Sequence, residues 1–159
     1  MALLPILRHP DSRLRAICLP VTRFDAALVR FATDLFETMY AAPGQGLAAP
    51  QVGVSARFFV TDTEWKRGTP APIVFVNPRL VAVSGQRLTM EEICLSIPGT
   101  ICPVERPAAL RLAWQAPDGA AQEADFDGIA ARAILHELDH LDGILCIDRV
   151  APATPTGAP

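Results

Sequence analysis

The chain has 159 residues, half of them hydrophobic, and a net charge of −3, which is enough for one domain with a buried core. No cluster of lysines and arginines suggests a nucleic-acid groove, and no apolar run approaches the roughly 20 residues of a membrane span. The amino-terminal stretch MALLPILRHPDSRLR lacks the features of a signal peptide. We therefore expect a cytoplasmic protein that recognises neither nucleic acid nor membrane.

The first third of the chain predicts one long helix. The opening stretch RHPDSRLRAICLPV is irregular and bounded by prolines, with room for one helical turn. In FDAALVRFATDLFETMYAAPG, apolar residues recur at three- and four-residue spacing, which is typical of an amphipathic helix. Thr22 or Asp25 can cap its start, and Pro43 with Gly44 stops it. The small-residue stretch GQGLAAPQVG that follows is expected to be a loop.

Short strands dominate the middle of the chain. Four stretches are β-branched or alternating and are separated by Gly, Pro, Asn and Asp; they are RFFVTD, PIVFVNPRLVAVS, ALRLAWQ and QEADFD. A second helix, DGIAARAILHELDHLD, should end at Gly143, and ILCIDRV predicts a last strand. We expect an α+β fold in which mixed or antiparallel sheets pack around this second helix. Residues 1–150 would form a single domain, followed by an extended or disordered proline-rich tail at 151–159.

The second helix carries the pattern HExxH, from His136 to His140. Residues four apart lie on one face of a helix, about 6 Å from each other, so both imidazoles can reach one metal ion. Glu137 can then act on a water molecule at that ion. The alternative is a helix with two chance histidines. However, its apolar side, on Ile129, Ala133 and the two histidines, would turn the imidazoles toward the core, where an unpaired imidazole is costly.

A catalytic site of this kind needs a third protein ligand and an open position for water. Cys94, in MEEICLSIPG, is the best-placed candidate because it follows a strand-like stretch and precedes a Pro-Gly turn. Its alternative is a buried packing residue. We expect packing roles for the remaining cysteines, which are Cys18, Cys102 and Cys146. We also expect Glu91, Glu92 and Arg106 to form a structural ion pair behind the cysteine loop.

Three stretches resemble, in this order, the three signature motifs of peptide deformylases. They are GQGLAAPQ at 44–51, EICLS at 92–96 and HELDH at 136–140. The flanking stretches HPDSRLR, VFVNP and LDGIL are also similar to the family, so that the resemblance runs from about Leu4 to Val150. One motif would be weak evidence, whereas three in order with matching flanks are specific. Many members continue into a long carboxy-terminal helix, which Pro152 and Pro155 forbid here, so the chain resembles a short form.

The resemblance implies an enzyme that removes the formyl group from the amino-terminal methionine of nascent proteins and releases formate. It implies one divalent metal ion, Fe(II) as expected for the family, with Zn(II) or Ni(II) as replacements. The ligands would be Cys94, His136 and His140. Glu137 would be the general acid and base, while Gln51 and the backbone N–H of Leu95 would stabilise the oxyanion. The partners would be N-formylated nascent peptides, met at the ribosome.

The chain departs from the family pattern around these residues. Ile93 replaces the usual glycine before the cysteine, Gln45 replaces an aliphatic residue, and Leu135 replaces a glutamine. Arg132 lies one turn before His136, on the side that in the family lines an apolar pocket for methionine. An arginine and a glutamine there would suit a polar or acidic substrate side chain. Alternatively, Arg132 pairs with a nearby acid or extends to solvent, and Gln45 points outward.

We expect the substrate peptide to be bound by the motif-one loop and the departing residues around it; these are Gly44, Gln45, Gly46, Ile93 and Arg132. Three functions stay open: a deformylase with ordinary or shifted specificity, an HExxH peptidase, and a metal-binding protein without deformylase activity. The peptidase would make the first two motif matches accidental. Glu137 and Gln51 argue against the pure binder, which needs neither.

Overall fold

The computed structural model describes residues 2–151, so the predicted tail lies outside the described residues apart from Ala151. Two helices and seven strands are present in this range: α1 (Ala26–Ala41), α2 (Gly128–Leu141), β1 (Gly46–Ala48), β2 (Phe58–Thr61), β3 (Ile73–Val83), β4 (Arg87–Ile93), β5 (Ile101–Pro107), β6 (Ala109–Gln115) and β7 (Ala121–Asp127). Short 3-10 turns occur at Ser12–Arg15, Ala49–Val52, Trp65–Arg67 and Cys146–Asp148. The predicted α+β class is confirmed.

The strands form two separate sheets. One has five strands in the order β1-β2-β3-β6-β7, and β4 pairs with β5 alone. All of these pairings are antiparallel. Of the two predicted alternatives, the sheets are therefore antiparallel and not mixed. The sequence did not predict β5, because ICPVERP contains two prolines. Since β5 pairs on one side only, these prolines take no hydrogen bond away from a sheet interior.

Two predictions about short segments were wrong. The stretch predicted as a loop contains β1, which pairs with β2, followed by a 3-10 turn; its small residues are buried because helices pack closely around them. The predicted last strand, ILCIDRV, is a 3-10 turn at Cys146–Asp148. There the Asp148 carboxylate accepts a hydrogen bond from the Leu145 N–H at 2.9 Å and pairs with Arg15, while Leu145 and Cys146 fill the core.

The β1–β2 part of the five-stranded sheet lies between the two helices. On β2, Phe58 and Val60 face the cluster that contains the α1 residue Leu35, whereas Phe59 faces the opposite cluster. That opposite cluster includes Ile134 of α2. Because both faces of β2 are covered, all four of its residues are buried. Helix α2 also contacts the β4–β5 hairpin on its other side, so it is the central helix, as predicted.

Local signals determine where the helices begin and end. Of the two predicted caps of α1, Asp25 is the one used: its carboxylate accepts hydrogen bonds from the N–H groups of Ala27 at 3.0 Å and Leu28 at 3.2 Å. Helix α2 ends two residues before Gly143, which has φ +71°. A Cβ there would overlap the Arg15 carbonyl, so only glycine fits this stop.

The α2 face that packs on the sheet is not the predicted one. Ala131, Ile134 and Leu135 are buried in the sheet cluster, while Ile129 is 38% exposed. The histidine side of α2 instead faces the β4–β5 hairpin, which the sequence pattern did not place. The predicted packing cysteines are all buried; these are Cys18, Cys102 and Cys146. No helix within residues 2–151 combines the length and the apolar character needed to cross a membrane.

Candidate metal centre and substrate cavity

Three side chains converge at the end of the β4–β5 hairpin. Cys94 follows β4 directly, and His136 and His140 lie one turn apart on α2. One ligand atom from each lies within 4.8 Å of the other two, and the Sγ of Cys94 is 3.3 Å from Nε2 of His140. A thiol and two imidazoles so close together form a donor set suited to a borderline divalent ion. The structure thus brings together the three ligands expected from the sequence.

Glu92 fixes the orientation of His136. The Glu92 Oε1 atom is 2.8 Å from Nδ1 of His136, which leaves Nε2 of this ring for a metal. Arg106 donates to both carboxylate oxygens of Glu92, at 2.6 and 2.9 Å. Burial raises the pKa of Glu92, but the hydrogen bonds from Arg106 and His136 outweigh it and lower this pKa to about 2. The predicted ion pair of Glu92 and Arg106 is confirmed, whereas Glu91 lines the neighbouring cavity instead.

A second buried carboxylate extends this network. Asp139 accepts hydrogen bonds from Arg106 at 3.0 Å and from Arg149 at 2.6 and 2.9 Å. Asp139 and Arg149 were not among the residues predicted from the sequence. The position of Asp139 could have indicated this contact. The aspartate lies between two metal-ligand candidates on a buried helix, and a buried carboxylate requires a cation as its partner. The network joins α2 to β5 and to the segment after the last 3-10 turn.

Gln51 faces the cysteine with a fixed amide. Its Oε1 accepts a hydrogen bond from the Ala48 N–H at 2.9 Å, so its NH2 group must point the other way. That nitrogen donates to Ser96 Oγ at 3.2 Å and lies 3.8 Å from the Sγ of Cys94. No pattern in the sequence indicated Ser96 as a partner of Gln51. Within residues 2–151, the N–H of Leu95 has no hydrogen-bond acceptor, so it can donate to a bound molecule.

Glu137 is buried beside the ligands without a partner for one oxygen. It is 4% exposed, and its Oε2 atom makes no hydrogen bond to any described residue. Burial raises the pKa of Glu137 to about 7. Burial, together with the charges of His136 and Arg106, lowers the pKa of His140 well below its usual value, which favours the neutral imidazole that a metal requires.

A cavity of about 420 Å³ opens next to this cluster and reaches Gln51, His136 and Glu137. All five predicted substrate-binding residues line it; these are Gly44, Gln45, Gly46, Ile93 and Arg132. Apolar side chains complete the wall, among them Met90, Leu95 and Ile129. The structure therefore gathers the predicted residues around a single space, although they come from three distant parts of the chain.

The polar departures from the family pattern are already engaged with the protein. Gln45 Nε2 donates to the Thr63 carbonyl at 3.1 Å, so its amide is tied to a neighbouring loop. Arg132 pairs with a nearby acid, which was one of its predicted alternatives: its Nη1 donates to Glu92 Oε2 at 2.7 Å. Ile93 is 68% exposed at the cavity rim. The charge of Arg132 is therefore not directed at a substrate.

Trp65 supports the glycine loop, which no pattern in the sequence indicated. Its indole Nε1 donates to the Gly44 carbonyl at 2.8 Å, and its ring meets that of Tyr40 edge-on at 5.3 Å. The Tyr40 hydroxyl donates to Asp62 at 2.7 Å. From the other side, a Cβ at Gly44 would lie 2.8 Å from Cδ1 of Leu95. The glycine loop is thus packed between Trp65 on one side and Leu95 on the other.

Comparisons with known proteins agree with this geometry. Residues 3–156 match the family model of polypeptide deformylase. The chain is 47% identical to the peptide deformylase of Brucella suis biovar 1 (strain 1330), over 95% of this chain and 86% of that protein. The relative from Zymomonas mobilis subsp. mobilis is 45% identical, over 95% of this chain and 88% of that protein.

Solved structures give the same result. The crystal structure of peptide deformylase from Thermotoga maritima superposes with a TM-score of 0.90 and 39% identity, covering 96% of this chain and all of that one. A class I type b peptide deformylase from Acinetobacter baumannii, described as bound to Met-Ala-Ser, superposes with a TM-score of 0.87 and 30% identity, over 94% and 99% of the two chains. The chain belongs to the polypeptide deformylase family.

Proposed function

We propose that this chain is a metal-dependent hydrolase that removes the N-formyl group from the amino-terminal methionine of nascent proteins and releases formate. One observation carries this proposal: the buried, unpartnered oxygen of Glu137 lies beside the cluster of Cys94, His136 and His140, at the end of a substrate-sized cavity. A structural metal site would need no such carboxylate. We place the activity in the cytoplasm, at the ribosome, because formylated nascent chains are made there.

The residues present fit a divalent ion. Cys94, His136 and His140 would supply three ligands, which is the number that catalytic metal sites take from the protein. We propose Fe(II) as the ion, with Zn(II) or Ni(II) as functional replacements, since one thiolate and two imidazoles suit all three. When bound, such an ion lowers the pKa of a water molecule and polarises the formyl oxygen.

Glu137 is the proton carrier of the reaction. Hydrolysis of a formamide requires that a proton leave water and that one reach the departing amine nitrogen. Burial raises the pKa of the Glu137 carboxyl, which suits a single group that accepts the first proton and delivers the second. No hydrogen bond within the described residues competes for Glu137 Oε2, which leaves this oxygen available for both transfers.

Two donors meet the charge that develops on the formyl oxygen. The Nε2 group of Gln51 is oriented by the Ala48 N–H, and the Leu95 N–H follows the metal ligand directly in the chain. Each donor of this kind contributes about 3 kcal/mol to transition-state stabilisation in known enzymes. The substrate backbone would run between Gly46 and Ile93, with the first side chain in the cavity.

The cavity walls favour an uncharged first residue. Met90, Ile129 and Ala133 present apolar atoms, and Arg132 is paired with Glu92. The lining residues Lys66 and Glu91 carry opposite charges. Methionine suits this space, and the related Acinetobacter structure is described as holding Met-Ala-Ser, the peptide left after deformylation of formyl-Met-Ala-Ser. These features argue against a shift toward acidic substrates, and the intact Gln51 and Glu137 argue against a non-catalytic metal binder.

The test is a direct assay on anaerobically purified protein. Metal content is measured first, then formate release from formyl-Met-Ala-Ser, formyl-Glu-Ala-Ser and acetyl-Met-Ala-Ser. We expect about one metal per chain and a clear preference for formyl-Met-Ala-Ser. The variant Glu137→Gln should keep its metal and lose turnover. One equivalent of metal with no formate release from any formyl peptide would sink the proposal.

A further inference from the structure

We propose that Arg132 is a positioning and specificity-determining residue: it holds Glu92 behind the metal ligand His136 and forms one fixed wall of the substrate cavity. The first half of this inference concerns metal binding alone. The second half rests on the proposed function, because it concerns which formyl peptide is cleaved. The two halves have separate measurements, so that a failure of the deformylase assignment leaves the first testable.

The Arg132 guanidinium joins three segments of the chain. Its Nη1 donates to Glu92 Oε2 at 2.7 Å and to the Val104 carbonyl at 2.9 Å. Its Nη2 donates to the Leu88 carbonyl at 2.7 Å. Leu88 is on β4 and Val104 is on β5, so one side chain of α2 is bonded to both strands of the hairpin. The metal ligands come from these same elements, since Cys94 follows β4 and the histidines are on α2.

Arg132 also completes the shell of donors around Glu92. Oε1 of Glu92 meets His136 and Arg106, while Oε2 meets Arg106 and Arg132. Four donors saturate a carboxylate and leave it one orientation. Without Arg132, the Oε2 atom would keep a single donor, and Glu92 could tilt away from the His136 ring. Partners that orient a metal-bound histidine are worth roughly 10–100-fold in metal affinity.

The same contacts of Arg132 determine which of its atoms face the substrate cavity. The Arg132 side chain is only 11% exposed, yet it lines the cavity. Because its Nη1 and Nη2 atoms donate hydrogen bonds to groups of the hairpin, Arg132 presents mainly its aliphatic carbons to the cavity. Shortening this side chain would uncover three acceptors at the wall: a carboxylate oxygen of Glu92 and the carbonyls of Leu88 and Val104. The cavity would then be deeper and would attract a cation.

The metal half is tested on apo-protein titrated with Co(II), whose absorption spectrum reports ligand geometry. We expect Arg132→Met to weaken Co(II) binding by up to about tenfold and to alter the spectrum, since its effect is transmitted through Glu92. Arg132→Lys, which keeps the charge, should restore part of the affinity. The matched control is Arg87→Met, which removes an exposed arginine that pairs with Glu105 on the same hairpin, and it should bind Co(II) normally.

A double-mutant cycle shows whether Glu92 is the intermediary. In a Glu92→Gln background, Arg132→Met should cause little further loss of Co(II) affinity. Thermal unfolding of each variant shows whether it is folded. If Arg132→Met does not fold, Arg132→Lys replaces it in the cycle. The positioning role is wrong if the Arg132 variants bind Co(II) with the native affinity and spectrum, or if the two losses are fully additive.

The specificity half is tested with Arg132→Ala and a series of formyl peptides that differ in the first residue. We expect the ratio of kcat/KM for formyl-Lys-Ala-Ser over formyl-Met-Ala-Ser to rise at least about tenfold, the discrimination that one added charged contact commonly provides. Millimolar guanidinium should move this ratio back toward that of the native protein by filling the vacated acceptors. An unchanged ratio, or one that guanidinium does not affect, would overturn the specificity role.

Discussion

Glu137 and Gly46 lie in direct contact: the carboxylate of Glu137 occupies the space that a side chain at position 46 would need. A Cβ built on Gly46 would overlap Oε1 of Glu137 and lie 2.9 Å from its Cδ. Strand β1 and helix α2 therefore meet at the proposed proton carrier. Gly46 has no positive φ, so backbone conformation does not require glycine at this position. The close approach of the Glu137 side chain does.

Gly46→Ala should displace the Glu137 carboxylate without removing it. A shift of about 1 Å in a catalytic group can reduce rates about 100-fold, so we expect a loss of that order in formate release with the metal content unchanged. The control is Gly85→Ala, since a Cβ there meets nothing within 4 Å. Native activity in Gly46→Ala would contradict the placement of Glu137.

Gln51→Ala should reduce kcat by about 10²–10³-fold, the usual effect of losing an oxyanion donor. Its metal content and thermal stability should be much less affected, because Gln51 is not among the ligands. Ser96→Ala removes only the acceptor of the Gln51 amide and should cause a smaller loss. If Gln51→Ala raised KM alone, a substrate-binding role would replace the one proposed.

Arg106 should be critical for stability. Its side chain and that of Glu92 are each 5% exposed, and Arg106→Met leaves Glu92 and Asp139 with one cation fewer between them. Breaking such a buried pair commonly costs about 3–5 kcal/mol, which urea unfolding at neutral pH would measure. Arg111→Met removes exposed pairs with Glu123 and Asp125 and should change the unfolding free energy by less than about 1 kcal/mol.

Metal binding should stabilise the fold by an amount that grows with the logarithm of the free metal concentration over its dissociation constant. Zn(II) at a free concentration 100 times its dissociation constant adds about 2.7 kcal/mol if it binds only the folded chain, which calorimetry on apo and loaded protein detects. Cys94→Ser should abolish most of this gain. Cys18→Ala, in the sheet core and away from the ligands, should keep it. An equal gain in both variants would exclude Cys94 as a ligand.

The Asp25 cap should make the contribution of α1 to the unfolding free energy depend on pH. The hydrogen bond from the Leu28 N–H holds the pKa of this carboxyl below its usual value. A depressed pKa contributes stability that is present above the unfolded value, about 3.9, and is lost as pH falls through the folded value. The difference in unfolding free energy between the native chain and Asp25→Ala should therefore narrow between neutral pH and pH 3. A constant difference would mean that the cap acts without its charge.

Several features of the site follow from local sequence alone. His136 and His140 share a helix face because an α-helix repeats every 3.6 residues, whatever surrounds it. Asp25 caps α1 because a carboxylate can reach N–H groups two and three residues ahead. The order of the three motifs identified Cys94, Gln51 and Glu137 as candidates before any contact was known. The helix-face and capping signals need only residues that are near one another in the chain, and each motif is itself a short stretch.

Other features depended on partners that the sequence does not place. The orientation of Arg132 was open between substrate and protein until the hairpin supplied Glu92 and two carbonyls. The pairing of β1 with β2, the turn at Cys146–Asp148, and the contacts of Ser96, Asp139 and Trp65 likewise require segments far apart in the chain. Periodicity reports which face of an element is apolar, but not which neighbour covers it. The sequence by itself determined the three ligand candidates and the helix that carries two of them, His136 and His140, because these signals lie within short stretches of the chain. Only the tertiary structure decided which charged groups are paired and that one oxygen of Glu137 has no partner among the described residues, because those contacts join segments far apart in the chain.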